Sequence, residues 1–186
     1  MRRTIAAAAL VVAAAGLLAV RTADAHRTPA NVVRQGTLDD ATIVAIFDAA
    51  NTADIETAQL AAEKATNKDV RALAQQFVHD HTAVRQQGRD LAKKLGVTPT
   101  PPADSSAAKA HAQAMAMLRS KSGADFDRAW LQHEVAYHKA VIDAVTSTLL
   151  PAIKNAELKA LVVKVAPAFQ AHMAAAENLE KKVASN

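Results

Sequence analysis

The sequence predicts an all-α domain, and within that class an antiparallel four-helix bundle. Three observations carry this. Of the 186 residues 51% are hydrophobic, yet only 3% are aromatic and five are glycine. An apolar content made largely of alanine and aliphatic residues favours helix, because alanine loses no side-chain entropy on entering one. Apolar residues also recur every three to four positions through four long segments, as a single buried helix face requires. Finally, the one true break is Val97-Thr98-Pro99-Thr100-Pro101-Pro102, where proline removes backbone donors and blocks the preceding turn.

The N-terminus reads as an export signal. Arg2 and Arg3 give a positive start, residues 5–20 are apolar or small, and Ala23-Asp24-Ala25 has the small-x-small form of a cleavage site. The apolar run is short for a membrane span of about 20 residues. Residues 1–25 are therefore expected to be removed, leaving a mature chain that starts at His26, has no transmembrane segment and is periplasmic or secreted. Cleavage removes Arg2, Arg3, Arg21 and Asp24, which takes 22 basic and 18 acidic residues to 19 and 17, a net charge of +2. That near-neutral balance, without a basic stripe interleaved with aromatics, argues against a nucleic-acid partner. Residues 26–36 are polar, contain Pro29 and read as a flexible leader; residues 37–186 form the domain.

The helices follow in order. Thr37-Leu38-Asp39-Asp40 has capping-box spacing, and helix A runs from there to about Ala65. Asn67 is a good N-cap for helix B, which reaches Leu95 and stops at Gly96. After the proline-rich break, residues 105–119 form a shorter, Ala/Met-rich helix. Ser122-Gly123-Ala124-Asp125 starts helix C, which extends to about Leu149 and ends near Pro151. Asn155 caps helix D, which runs to about Val183 with Pro167 inside it, where a kink should free the carbonyl of Val163. Short turns make A/B and C/D antiparallel neighbours. The long crossover with its extra helix, between B and C, is the ferritin-like arrangement.

At about 100° per residue, each helix face can be worked out. Helix B presents Val70, Leu73, Phe77, Val84, Leu91 and Leu95 inward. Each helix also turns a polar group into its apolar stripe: Asp54 on A, His81 on B, Glu134 and His138 on C, and His172 on D. Asp127 lies on the same face of C, Asp80 falls at the edge of the B stripe, and His79 points away. Within each hairpin the inward groups lie at matching heights. Whether the two hairpins align with each other cannot be read from the turns.

Inward polar groups must satisfy one another, hold water or hold an ion. With no cysteine in the chain, a metal site has to be built from histidine and carboxylate, a donor set suited to zinc, copper, iron or manganese. Asp54, His81, Glu134, His138 and His172 are the candidate ligands. Asp127 is a candidate for orienting a ligand histidine or, alternatively, for capping a neighbouring element. The competing reading is a metal-free polar network inside an envelope protein that binds a partner or a membrane surface. Di-iron chemistry is disfavoured, because the Glu-x-x-His motif is missing: Val78, Val135 and Phe169 stand three residues before His81, His138 and His172. No nucleophile elbow or phosphate loop is present, so an enzyme is the weaker expectation. Copper at an N-terminal His26, and soft-metal binding by His111 with Met115 and Met117, are minor alternatives.

A set of motifs resembles a known family: Asp54-Ile55-Glu56, Leu60-Ala61, Asn67 with Val70, Asp80-His81, Ser122-Gly123 with Phe126-Asp127, His138, and Pro167 followed by His172. Together they resemble the bacterial "domain of unknown function 4142", mostly exported and often labelled outer membrane protein. The resemblance covers roughly residues 37–180. It implies a ferritin-like four-helix bundle in the periplasm or envelope and no established activity. The family's usual acid on the first helix is Glu, where this chain has Asp54.

Overall fold

The computed structural model describes residues 38–184. The expected signal, the leader and Thr37 lie outside them. The described chain is all-helical: α1 (Asp40–Lys64), α2 (Lys68–Leu95), α3 (Ser106–Arg119), α4 (Gly123–Ala144), a π-helical turn (Val145–Leu149), α5 (Leu150–Ala152) and α6 (Ala156–Ala184). No described helix is long and apolar enough to cross a membrane.

Local chemistry sets most of the boundaries. Asp39 is the N-cap of α1, its Oδ1 accepting from the Thr42 amide at 2.8 Å. Asn67 caps α2 through the amides of Asp69 and Val70. Asn155 does the same for α6 through Glu157 and Leu158. Each supplies an acceptor to amides that have no partner within the helix. Gly96 ends α2 at φ 65°, a left-handed conformation that costs little only without a Cβ. The expectation of an unbroken helix to Leu149 needs correction. Thr146 Oγ1 donates back to the Ile142 carbonyl at 2.8 Å, and Ser147 Oγ donates to the carbonyl of Asp143. Hydroxyls that compete for helix carbonyls widen the turn. Helix α6 continues through Pro167, which lies with Val163 on its exposed side.

Long-range bonds fix how the helices lie. Asp48 and Thr52 on α1 meet Arg89 and Arg85 on α2. On α2, Asp69 and Asp80 meet Lys182 and His172 on α6. On α1, Ala50 and Thr57 meet Tyr137 and Glu134 on α4. In each pair the residue numbers run in opposite directions, so these neighbours are antiparallel; α4 also packs on α6 and α3 on α4. The stripe expected for α2 is shifted in its second half. Gly88 and Ala92 are buried there, whereas Val84, Leu91 and Leu95 are only half-buried. The small residues let α1 approach: a Cβ on Gly88 would stand 2.8 Å from the Phe47 ring.

The apolar core forms two clusters. One gathers Ile43, Phe47, Ala92, Leu149, Val162 and Phe169, among others. The second includes Ala61, Val70, Phe77, Phe126, Trp130 and Ala176. Between the two along the helices lie the buried polar residues Asn51, Asp54 and Thr57 on α1, His81 on α2, Glu134 and His138 on α4, and His172 on α6.

Candidate metal centre

That intermediate layer contains all five residues expected as ligands. Asp54, His81, Glu134, His138 and His172 are each at most 6% exposed. The ring nitrogens of His81, His138 and His172 lie within 4.8 Å of one another, as do donor atoms of Asp54, Glu134 and His138.

Hydrogen bonds on the outer edges of the rings decide what their inner edges can do. Asn51 donates its Nδ2 to the Phe47 carbonyl at 2.8 Å, which leaves its Oδ1 facing His81 Nδ1 at 2.9 Å. That nitrogen must therefore carry the proton. His138 Nδ1 lies 3.0 Å from the Glu134 carbonyl, which can only accept. His172 Nε2 lies 3.1 Å from Asp80 Oδ2. Each neutral imidazole has one N–H, so His81 Nε2, His138 Nε2 and His172 Nδ1 are bare lone pairs, and all three face inward. His81 Nε2 is 3.1 Å from His172 Nδ1 and 3.4 Å from Asp54 Oδ2, and His138 Nε2 is 3.5 Å from Asp54 Oδ2. Both oxygens of Asp54, and His138 Nε2, have no hydrogen-bond partner.

Glu134 meets the other nitrogen of His138, at 3.5 Å from Nδ1. Its Oε1 accepts from Thr57 at 3.0 Å, while its Oε2 and the indole Nε1 of Trp130 are left without partners. A cavity of about 10 Å³ adjoins Asn51, Asp54, His81 and His138, a volume suited to one small occupant.

Electrostatics follow from burial. It pushes His81 down to about 3, helped by its neighbours His138 and His172, and His138 down to about 4. It also lowers His172, against the pull of Asp80. It raises Asp54 well above the ordinary carboxylate range, and Glu134 likewise, the latter reinforced by Asp54. These shifts predict the pH response of the metal-free protein. Below pH 6.5 the unfolded histidines take up protons that the folded ones refuse, which lowers stability as pH falls. From about pH 4 upward the folded carboxylates keep protons that the unfolded chain gives up, which lowers stability as pH rises. The two trends oppose each other up to pH 6.5. Above it only the carboxylates act, so stability in chelator should fall as pH rises for as long as they hold their protons. Urea midpoints at pH 6, 7 and 8 check this, and a midpoint that climbs with pH in chelator contradicts it.

The family described as "Domain of unknown function (DUF4142)" matches residues 25–179. The chain belongs to this family. No curated protein and no solved structure matches it. In this DUF4142 domain Asp127 does not orient a histidine. Its carboxylate accepts from the Thr66 amide at 3.0 Å, the Thr66 hydroxyl at 2.6 Å and the Asn67 amide at 2.8 Å. It ties down the turn between α1 and α2, as Asp40 ties the turn before α6 through the amides of Lys154 and Asn155. Asp127→Ala should therefore cost on the order of 3 kcal/mol, since it orphans donors bound to a buried carboxylate. Metal content should be unchanged. Denaturation with parallel elemental analysis separates the two roles.

Asn51 and Thr57 belong to this layer without being candidates from the sequence, although with Asp54 they repeat every three residues on α1 and so share its inward face. Asp80 was placed only at a stripe edge, and its contact with α6 depends on the tertiary fold. His111 pairs with Glu56 at 2.6 Å, Met115 is buried and Met117 exposed, so no soft-metal group forms there.

Proposed function

We propose that this DUF4142 domain is an exported, ferritin-like antiparallel four-helix bundle that holds one divalent transition-metal ion in the bacterial envelope, in storage, sensing or stress protection. One observation carries the reading: three bare imidazole nitrogens and the unpartnered Asp54 carboxyl converge on one point, and the proton that burial keeps on the acids is the only donor among them. Lone pairs crowded in a buried space repel, and a cation is what relieves them. The donor separations of 3.1, 3.4 and 3.5 Å bracket the edge of about 3.3 Å expected for a tetrahedron with ligands 2.0–2.1 Å from zinc. The acceptors behind each histidine, Asn51, the Glu134 carbonyl and Asp80, are the kind that orient metal-binding imidazoles. Asp54 and Glu134 together supply two negative charges for a dication.

Zinc fits this donor set best, with copper, iron and manganese as the other outcomes. Four protein donors leave no open position, which favours retention over turnover. The competing reading, an apolar docking face, finds little support: among the described residues the exposed large apolar side chains are Met117 and Val163, on separate helices. The test is elemental analysis of untagged protein purified without chelator, beside the His81→Ala/His138→Ala/His172→Ala variant. About one equivalent of metal, lost in the variant with helicity retained, supports the centre. An empty parent chain that also refuses added zinc, copper, iron and manganese sinks it.

A further inference from the structure

A chain of donors leads from the surface to the buried centre. The side chain of His79 is 83% exposed and that of Asp80 33%, while those of His172, His81 and Asp54 are 8%, 4% and 1% exposed. Consecutive members touch: His79 Nδ1 to Asp80 Oδ1 at 3.0 Å, Asp80 Oδ2 to His172 Nε2 at 3.1 Å, His172 Nδ1 to His81 Nε2 at 3.1 Å, and His81 Nε2 to Asp54 Oδ2 at 3.4 Å. The outer nitrogens of His81 and His138 face acceptors that are themselves buried, Asn51 and the Glu134 carbonyl. Only His172 turns its outer nitrogen to a group that also reaches solvent.

The remaining walls do not help a cation inward. Phe77 stacks on His172 at 4.3 Å and Phe169 on His81 at 5.8 Å. Val141 and Tyr137 line the small cavity, and the Tyr137 hydroxyl is engaged with the Ala50 carbonyl. A divalent ion that sheds water needs a replacement oxygen or nitrogen at each step, because an uncompensated charge in an apolar wall is prohibitively costly.

We propose that His79 and Asp80 form an outer capture pair for a hydrated divalent transition-metal ion, which His172 passes inward to His81 and Asp54, its Nε2 yielding its proton to solvent as it takes the ion and regaining it when the ion moves on to Nδ1. This rests on the metal reading of the centre and adds its access route. His79 has no place among the final ligands, so it speeds loading and release alike and leaves affinity untouched. Asp80 also holds His172 in place, so its loss slows loading and weakens affinity as well.

The experiment measures zinc uptake by stopped flow and zinc release to a chromophoric chelator. It compares the parent, His79→Ala, Asp80→Asn and the charge control Asp90→Asn on the same helix. The proposal expects both rates to fall by about tenfold in His79→Ala at equal affinity, a scale set by local capture of a charged ligand. In Asp80→Asn uptake falls at least as far, and Asp90→Asn behaves as the parent. Parental uptake rates in both His79→Ala and Asp80→Asn, with one equivalent still bound, overturn the route and leave the centre standing. So does an Asp80→Asn variant that only releases faster, because it reduces Asp80 to an orienting group. A parent that binds no zinc at equilibrium removes the centre and the route with it.

Discussion

Zinc added to the metal-free domain is expected to raise its melting temperature by roughly 8–16 °C, a scale that follows from 2–4 °C per kcal/mol for a domain of this size. The energy comes from linkage: a ligand at a thousand times its dissociation constant that binds only the folded state adds about 4 kcal/mol. The unfolded chain has no comparable site, because His81, His138, His172 and Asp54 come from four different helices and converge only on folding. The metal-free fold also bears a burden that the ion removes, namely two buried acids that must keep their protons and polar atoms left without partners, among them both oxygens of Asp54 and Nε2 of His138. Calorimetry in chelator and in graded zinc measures the shift. It should vanish in the triple histidine variant and persist in Asp127→Ala. A parent melting temperature that ignores zinc would mean that protons or water satisfy the layer.

Phe77→Ala should be the most damaging single substitution in the core, at about 3–5 kcal/mol, a large fraction of the 5–15 kcal/mol typical of a whole domain. Phe77 is fully buried and lies where the polar layer meets the apolar cluster around Trp130. Its ring centroid is 4.3 Å from that of His172, 5.4 Å from His138, 5.9 Å from Trp130 and 6.1 Å from His81. Truncation therefore opens a cavity and also frees the rings it holds. Zinc affinity should drop about tenfold, the low end for loss of a group that orients ligands. Phe77→Leu keeps most of the volume and should cost less than about 1.5 kcal/mol. Urea midpoints in chelator and zinc competition measure the two effects separately. Unchanged zinc affinity in Phe77→Ala would show that the histidines are held by their hydrogen bonds alone.

Much of this molecule was legible without coordinates, and the reason is local. Asn67, Gly96 and Asn155 mark helix ends because capping depends on one side chain and the amides beside it. The inward positions of Asp54, His81, Glu134, His138 and His172 follow from helical periodicity, and their matching heights within each hairpin follow from short turns. The same periodicity misled where packing or side-chain bonding intervened. Gly88 and Ala92, not Val84 and Leu91, face α1 because close approach to Phe47 outweighs hydrophobicity there. The π-helical turn at Val145–Leu149 arises from hydroxyls that bond backward, which an apolar pattern does not register.

The sequence by itself determined which polar residues turn inward at the centre of the bundle and which helices can present them, since both depend on spacing along one chain segment. Only the tertiary structure decided that the two hairpins align so that Asp54 and His81 meet His138 and His172, and that His172 bridges Asp80 and His81. It also decided that Asp127 serves the α1–α2 turn. The crossover between hairpins runs through a proline-rich break and a separate helix, so no turn length sets the relative height of the two halves. That register comes from packing the two apolar clusters and from the bonds between α1 and α4 and between α2 and α6. These are contacts between residues far apart in the chain, which local periodicity does not encode.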